Sequence, residues 1–262
     1  MFAAVRAALP VAALLLASAQ PVVAADYKPV GGGHFASVLP ADEKAADTEV
    51  ASFSIRATPV TNEEFLAFVT ATPAWRRDDV PRVFADGQYL SHWPGPTTIE
   101  ESQRKQPVTH VSWFAAAAFC ESEGARLPTW SEWEFVASAD ATRTDARSDP
   151  KWREQILSWY SHPSNGVLAN VGAAANVYGV RDTHGLVWEW VDDFNALLVS
   201  ADSRDQNDPD RLKFCGAGAM SLRDLDNYAV LMRIAMLSSL KAADTTANVG
   251  FRCARQKSGP NP

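Results

Sequence analysis

The segment Asn176–Trp190 constrains this chain more than any other, because it joins a turn to a dense run of aromatic and acidic residues. Asp182 and Glu189 are spaced so that both carboxylates and the carbonyls between them could converge on one hard cation. The alternative is that these two carboxylates cap loops or pair with arginine. The segment therefore predicts either a cation site or a structural role for both acidic side chains.

The first 24 residues have the pattern of a secretory signal peptide. Arg6 supplies the positive end, Leu9–Ala19 is apolar, and small residues for cleavage follow at 22–25. Pro10 and Gln20 interrupt the apolar run, which is short for a membrane span; an uncleaved membrane anchor is the alternative. We expect a periplasmic or secreted protein with no membrane insertion after cleavage.

Charge and composition exclude several classes of partner. The formal net charge is −7. Cleavage of the signal peptide removes Arg6 and no acidic residue, so the mature chain carries −7 − 1 = −8. An acidic chain without a basic cluster argues against nucleic acid and anionic membranes. Hydrophobic content of 47% and charged content of 21% are typical of a globular protein. Nine tryptophans favour a loop-rich fold stabilised by aromatic clusters.

Three helices are predicted from their capping residues. Thr61 and Glu64 form a capping box ahead of an apolar face, and Pro73 ends that helix. The second helix begins after Ser112 and ends near Gly124. A second capping box predicts the third helix over about 130–138. The apolar face of the first helix comprises Phe65, Phe68 and Val69.

The remaining segments predict short strands and loops. Alternation over Val50–Ile55 predicts a strand, and residues 250–253 predict a final strand. Residues 73–106 read as a long loop, and residues 140–149 as a mobile one. Beyond Asn176 we expect short strands and long loops. Sequence pattern alone predicts a mixed α+β protein.

Three strings, in this order, carry a family resemblance: Cys120–Glu134, Asn176–Trp190 and Gly250–Ala254. Together they resemble the formylglycine-generating enzyme family, also called sulfatase-modifying factors. The resemblance covers about residues 27–256, between the signal peptide 1–24 and a flexible tail, 257–262. It implies one α+β domain, a variant of the C-type lectin fold with short strands, a few helices and long structured loops.

The resemblance also implies one structural calcium ion. Its ligands would be the side chains of Asp182 and Glu189 and the carbonyls of Gly185 and Val187, all hard oxygen donors. Gly185 permits the tight turn that points carbonyls inward. The family usually has Asn where this chain has Leu186, a position that is not a ligand. A second family site is expected to be missing, because the matching stretch 161–175 has no acidic residue.

The cysteines match the family in part. Cys120 and Cys253 correspond to a pair that forms a disulfide in some members, and an oxidising compartment favours the bond. Two buried free thiols are the alternative. Cys215 is then unpaired.

The family's catalytic copper is expected to be absent. Formylglycine-generating enzymes bind Cu(I) between two cysteines, and the matching stretch Ser221–Tyr228 contains none. Arg233 matches an arginine that lines the family's substrate groove; a buried ion pair is the equal alternative. The five histidines show no metal-ligand spacing.

Two functional readings follow, with a third behind them. The first is an accessory or maturation factor without formylglycine-generating activity, resembling the NirV-type subgroup linked to denitrification and acting on a periplasmic protein or peptide. The second is a periplasmic tailoring oxidoreductase, like the pyoverdine-maturation relative of this fold. Its weak catalytic candidates are Cys215, Ser221 and Asp224, with Arg233 nearby. Lectin-like ligand binding rests on fold analogy alone. The oligomeric state does not follow from the sequence.

Overall fold

The main sheet joins the two ends of the domain. The computed structural model describes residues 25–39, 47–161, 167–195 and 228–256. Strands β1 (Tyr27–Val30), β4 (Phe53–Arg56) and β7 (Ala254–Gln256) form an antiparallel sheet in the order β1-β4-β7. The first and the last strand therefore lie on opposite edges of β4.

Two smaller sheets complete the strand structure of the described residues. β2 (Gly33–Phe35) pairs antiparallel with β3 (Thr48–Val50). β5 (Trp188–Glu189) pairs in parallel with β6 (Val249–Gly250), so that Glu189 lies opposite Gly250. Glu189 is thus fixed beside the segment that leads into β7.

The single strand predicted over Val50–Ile55 is two strands in different sheets. β3 ends at Val50 and β4 begins at Phe53. The break lies where the chain crosses Gly32, whose φ is +73° and whose Cβ, if it had one, would lie 2.2 Å from the Val50 carbonyl oxygen. Only glycine permits this approach. The glycines between β1 and β2 therefore form a sheet corner.

The final strand also differs from the prediction. β6 covers Val249–Gly250 and β7 begins at Ala254, so residues 251–253 belong to neither ladder. Their carbonyls accept hydrogen bonds elsewhere: Val60 N–H donates to Phe251 at 2.9 Å, and Arg56 N–H to Cys253 at 2.9 Å. The chain switches from one sheet to the other here, and the three residues between the strands are fully buried.

The three predicted helices are confirmed with their caps. They are α1 (Asn62–Ala71), α2 (Trp113–Ser122) and α3 (Trp130–Ala137). Both capping boxes are complete, and Ser112 caps α2 through the Ala115 amide. The predicted apolar face of α1 is buried in the core.

Two further helices were not predicted. α4 covers Pro150–Ser161, and α5 covers Tyr228–Ser238 where short strands and loops were expected. In α5 the buried side chains include Ile234 and Leu237 at helical spacing, but Arg233 is buried beside them and obscures the apolar pattern. Among the described residues, no helix is long and apolar enough to cross a membrane.

Two predicted loops contain more order than expected. Short 3-10 turns, Pro73–Trp75 and Glu101–Gln103, interrupt the loop at 73–106. In the 140–149 loop, Arg143 bridges Asp140 and Asp149, and Arg147 pairs with Asp145 at 2.7 Å. Local ion pairs therefore link the two ends of this segment, and its mobility stays a prediction.

The core is an aromatic cluster crossed by a disulfide. Phe65 and Phe119 stack with ring centroids 5.8 Å apart, and Phe251 meets both rings edge-on. Cys120 on α2 and Cys253 beside β7 form a disulfide with a Cα–Cα distance of 5.4 Å, and both are fully buried. The bond joins residues 133 apart in sequence, at the position that the family resemblance implied.

Removing this disulfide should lower stability strongly. A Cys120→Ala, Cys253→Ala double variant is expected to lose roughly 2–5 kcal/mol of unfolding free energy, because the open chain gains entropy in the unfolded state. Urea denaturation of the oxidised proteins measures the loss. Cys215→Ser is the matched control and should unfold like the wild type. Titration of three free thiols in the native oxidised protein would contradict the bond.

Candidate functional site

Arg252 pairs with Glu189, one of the four residues predicted to bind calcium. Its fully buried guanidinium donates through Nε and Nη2 to the two carboxylate oxygens of Glu189, each at 2.7 Å. Nη2 also donates to the Arg181 carbonyl at 2.9 Å, and Nη1 to those of Arg56 and Ala57 at 3.3 and 3.4 Å. A guanidinium has five N–H donors, so each finds an oxygen in this cage.

Glu189 is held from several sides. The side chain is fully buried, and the Trp133 indole N–H donates to its Oε2 at 2.9 Å. Arg233 donates to its main-chain carbonyl. Pairing and complete hydrogen bonding are what make a buried charge tolerable. Removing one partner would leave a charge without compensation in the protein interior.

Asp182 begins the turn and has its own partners. Its φ is +58°, a left-handed conformation that aspartate tolerates better than most residues. Its carboxylate accepts the amides of Gly172 at 2.7 Å and Ala173 at 3.0 Å. Gly185 has a φ of +83°, and an added Cβ would lie 2.8 Å from the Trp159 ring. Gly185 is thus required both for the turn and for the close approach of that tryptophan.

The side chain of Arg233 is buried. It is 1% exposed, and its guanidinium carbon lies 3.4 Å from the centroid of the Trp133 ring. Cation–π stacking stabilises a desolvated arginine, and the bond to the Glu189 carbonyl fixes its orientation. Arg233 is therefore fixed against Trp133 and Glu189, and its predicted role at the groove stays a prediction.

His184 packs between two tryptophans at the same centre. Its Nε2 lies 2.8 Å from the Ala137 carbonyl, and its ring meets Trp133 and Trp152 edge-on. Burial lowers the pKa of His184 to about 4. The ring is therefore neutral at pH 7, and Nε2 carries the proton that the carbonyl accepts.

The two acidic residues predicted to bind calcium each have partners within the chain. Glu189 accepts three N–H donors, two of them from the Arg252 guanidinium. Asp182 accepts two main-chain amides. These are contacts that the alternative, a capped loop and an ion pair, also requires, and the calcium site stays a prediction.

Several predicted residues lie outside the described part of the chain. They are Cys215, Ser221 and Asp224, together with the signal peptide 1–24 and the tail 257–262. Within the described ranges, no group of three or more His, Cys, Asp or Glu side chains is placed to hold a metal ion. The described centre is built from an ion pair, indoles and main-chain carbonyls.

Comparison with known proteins agrees with the motifs. Residues 16–257 match the profile of the sulfatase-modifying factor enzyme 1-like domain. The chain belongs to the sulfatase-modifying factor family. Its family motifs place Arg252 and Glu189 on adjacent segments, and the strand pairing of β5 with β6 brings them together.

Two related proteins and one solved structure illustrate what this chain is similar to. The formylglycine-generating enzyme of Streptomyces coelicolor is 29% identical over 85% of this chain and 85% of its own length. Hercynine oxygenase of Mycolicibacterium smegmatis is 32% identical over 54% of this chain, which spans only 37% of that protein. The structure of PvdO from Pseudomonas aeruginosa superposes with a TM-score of 0.47 at 20% identity, covering 88% and 94% of the two chains.

Sequence reasoning identified Glu189 but missed most of its partners. Arg252 belongs to the family string Gly250–Ala254, but the sequence pattern predicts only that it lies in a strand. Trp133 lies in the third predicted helix, and the sequence does not indicate which group accepts its indole N–H. The sequence contains one signal for this pair: in Gly250–Cys253 a charged residue lies between residues typical of a buried strand. A charge in such a position requires a buried partner.

Acidification should destabilise the protein through His184. Its folded-state pKa is about 4 and its unfolded pKa about 6.5, so the unfolded state binds the proton first. Stability is therefore full above pH 6.5 and declines as the pH falls toward 4. The ring keeps some solvent access, so we expect a loss on the order of 1–3 kcal/mol. Chemical denaturation between pH 7 and pH 4 measures it.

Two variants separate His184 from other groups that titrate. His184→Gln keeps an N–H donor for Ala137 and should flatten the pH dependence in this window. His34→Gln changes an exposed histidine and should leave the curve unchanged. An identical slope in the wild type and in His184→Gln would contradict the assignment.

Proposed function

We propose that this chain is an exported member of the sulfatase-modifying factor family that does not make formylglycine. Its role is that of an accessory or maturation factor acting on a partner protein or peptide outside the cytoplasm. Export rests on the pattern of residues 1–24, and family membership on residues 16–257. The absence of formylglycine generation rests on the cysteines.

The number of cysteines free to bind a metal is the observation that carries the proposal. The chain has three cysteines, at 120, 215 and 253. The disulfide uses Cys120 and Cys253, which leaves Cys215 as one thiol per chain. A linear two-thiolate Cu(I) site requires two, because soft thiolates supply both ligands. The residues present therefore do not fit the family's catalytic copper site.

An accessory role suits a scaffold that keeps its fold without that chemistry. The capping boxes, the disulfide and the Arg252–Glu189 pair are independent of the copper cysteines. We place the partner among denitrification proteins first, following the resemblance to NirV-type proteins. The finer description of the fold, a variant of the C-type lectin fold, is part of this proposal. It is supported by short strands and by terminal segments that share one sheet.

A tailoring oxidoreductase is the competing function. The relatives of this chain include proteins named for oxidation, such as hercynine oxygenase. With one thiol, such an enzyme would depend on Cys215 or on a residue such as Ser221 or Asp224. Arg233 is a poor candidate for contact with substrate because it is buried against Trp133. The state of Cys215 therefore separates the two functions.

The protein should not convert a sulfatase-type peptide to the aldehyde. We expect no formylglycine when the mature chain is incubated with Cu(I), reductant, oxygen and a Cys-x-Pro-x-Arg peptide, because one thiolate cannot form the copper site. Mass spectrometry of the peptide measures conversion. The Streptomyces coelicolor enzyme is the positive control, and Cys215→Ser sets the background. Conversion well above that background would contradict the proposal.

A complementation experiment distinguishes the accessory role from thiol chemistry. A host strain that lacks the gene is supplied with the wild type, Cys215→Ser or the double disulfide variant. For an accessory factor, Cys215→Ser should restore the host phenotype fully, whereas the disulfide variant should restore it poorly through loss of stability. Failure of Cys215→Ser at normal protein abundance would instead favour the tailoring enzyme.

A further inference from the structure

We propose that the Cys120–Cys253 disulfide is completed by isomerisation from a first bond to Cys215, which makes this chain a substrate of a thiol–disulfide isomerase outside the cytoplasm. The connectivity of the bond carries the inference. The native disulfide joins the first and the third of three cysteines and passes over the second. The inference rests on the export stated in the proposed function, because disulfides form and persist in oxidising compartments.

Distance along the chain is the first argument. Cys215 lies outside the described residues, but the sequence places it 95 residues after Cys120 and 38 residues before Cys253. The native bond closes a loop of 133 residues. In an unfolded chain the chance that two thiols meet falls as about the 3/2 power of the loop length, so the shortest loop closes roughly six times as often as the native one. When the three thiols react alike, only about one first bond in ten is native.

The order of export acts in the same direction. Cys120 and Cys215 leave the cytoplasm before Cys253, because the amino end of an exported chain emerges first. For a chain that is translocated while it is made, the 38 residues between Cys215 and Cys253 take roughly 2–8 s. An oxidant that meets the chain in this interval can form only the bond between Cys120 and Cys215.

Burial prevents that first bond from persisting in the folded protein. Cys120 and Cys253 are both fully buried. The neighbouring rings of Phe119 and Phe251 meet edge-on, with centroids 5.4 Å apart. Protein interiors are close-packed, so a bond from either cysteine to Cys215 would draw a further segment into this core or part the two rings. Folding therefore favours the species in which Cys215 is released as a thiol.

The exchange balances without a second oxidation. The oxidase disulfide takes two electrons and two protons from the chain once, when the first bond forms. The isomerase thiolate then attacks Sγ of Cys120 in the bond to Cys215, and the Cys215 thiolate leaves and takes up a proton. The Cys253 thiolate attacks Sγ of Cys120 in the mixed disulfide, which forms the native bond and regenerates the isomerase thiolate.

Oxidative refolding tests the order of the bonds without export. The reduced, unfolded mature chain is diluted into a glutathione redox buffer, samples are quenched with an alkylating reagent, and the bonded peptides are identified by mass spectrometry. We expect bonds to Cys215 to make up about nine tenths of the first bonds. They should convert to Cys120–Cys253, and faster when reduced protein disulfide isomerase is added. A majority of Cys120–Cys253 among the first bonds, or a conversion that the isomerase does not speed, would overturn the proposal.

Cys215→Ser is the decisive variant, because it removes both wrong bonds and keeps both native cysteines. The wild type and Cys215→Ser are produced in a bacterial host that keeps its periplasmic thiol oxidase and either has or lacks its periplasmic disulfide isomerase. Loss of the isomerase should lower the amount of folded wild type with the native bond on the order of ten-fold, since only about one first bond in ten is native. The amount of folded Cys215→Ser should not change.

Two outcomes in the host contradict the isomerisation. One is that the wild type does not depend on the isomerase, and the other is that Cys215→Ser depends on it equally. If no chain reaches the periplasm, the export stated in the proposed function is wrong, and the order of bonds in refolding decides the isomerisation by itself.

Discussion

The buried pair of Arg252 and Glu189 is the interaction on which the rest of the structure depends. It joins the turn at 181–189 to the C-terminal segment and, through carbonyls at 56 and 57, to the end of β4. A buried ion pair contributes little net stability compared with an apolar pair of the same shape, but it tolerates no missing partner. Its main effect is therefore to specify one arrangement of three distant segments.

The C-terminal segment concentrates these long-range contacts within a few residues. Phe251 packs in the aromatic core, Arg252 enters the oxygen cage and Cys253 forms the disulfide to α2. Flanking strands on both sides belong to different sheets. All of these contacts are long-range, because each partner is distant in sequence. The disulfide offsets part of the entropic cost of bringing such distant segments together.

Under the proposed function, this organisation lets a family scaffold persist without the family's metal chemistry. The helix caps, the aromatic core and the arginine-centred cage stabilise the fold through groups that take no part in oxygen activation. Selection on a partner-binding role would act on the surface and leave this interior unchanged. A fold therefore does not establish the reaction, and the identity of the reactive side chains does.

Local features of the sequence determined the local structure. Capping boxes at Thr61 and Thr129 fix helix starts because their hydrogen bonds close within four residues. The family motifs likewise placed Cys120 opposite Cys253, and Gly185 in a left-handed turn. α4 and α5 had weaker signals, since buried polar residues interrupt the apolar period of α5.

Tertiary structure decided which charges meet. Nothing within the string Gly250–Ala254 states that Arg252 turns inward toward Glu189, 63 residues away in sequence. The same holds for the split of the strand predicted over Val50–Ile55, which lies at the backbone crossing of Gly32. The sequence by itself determined the caps, the cysteine pair and the glycine turn. Only the folded chain decided that Glu189 pairs with Arg252, because long-range burial controls which counterion a buried carboxylate receives.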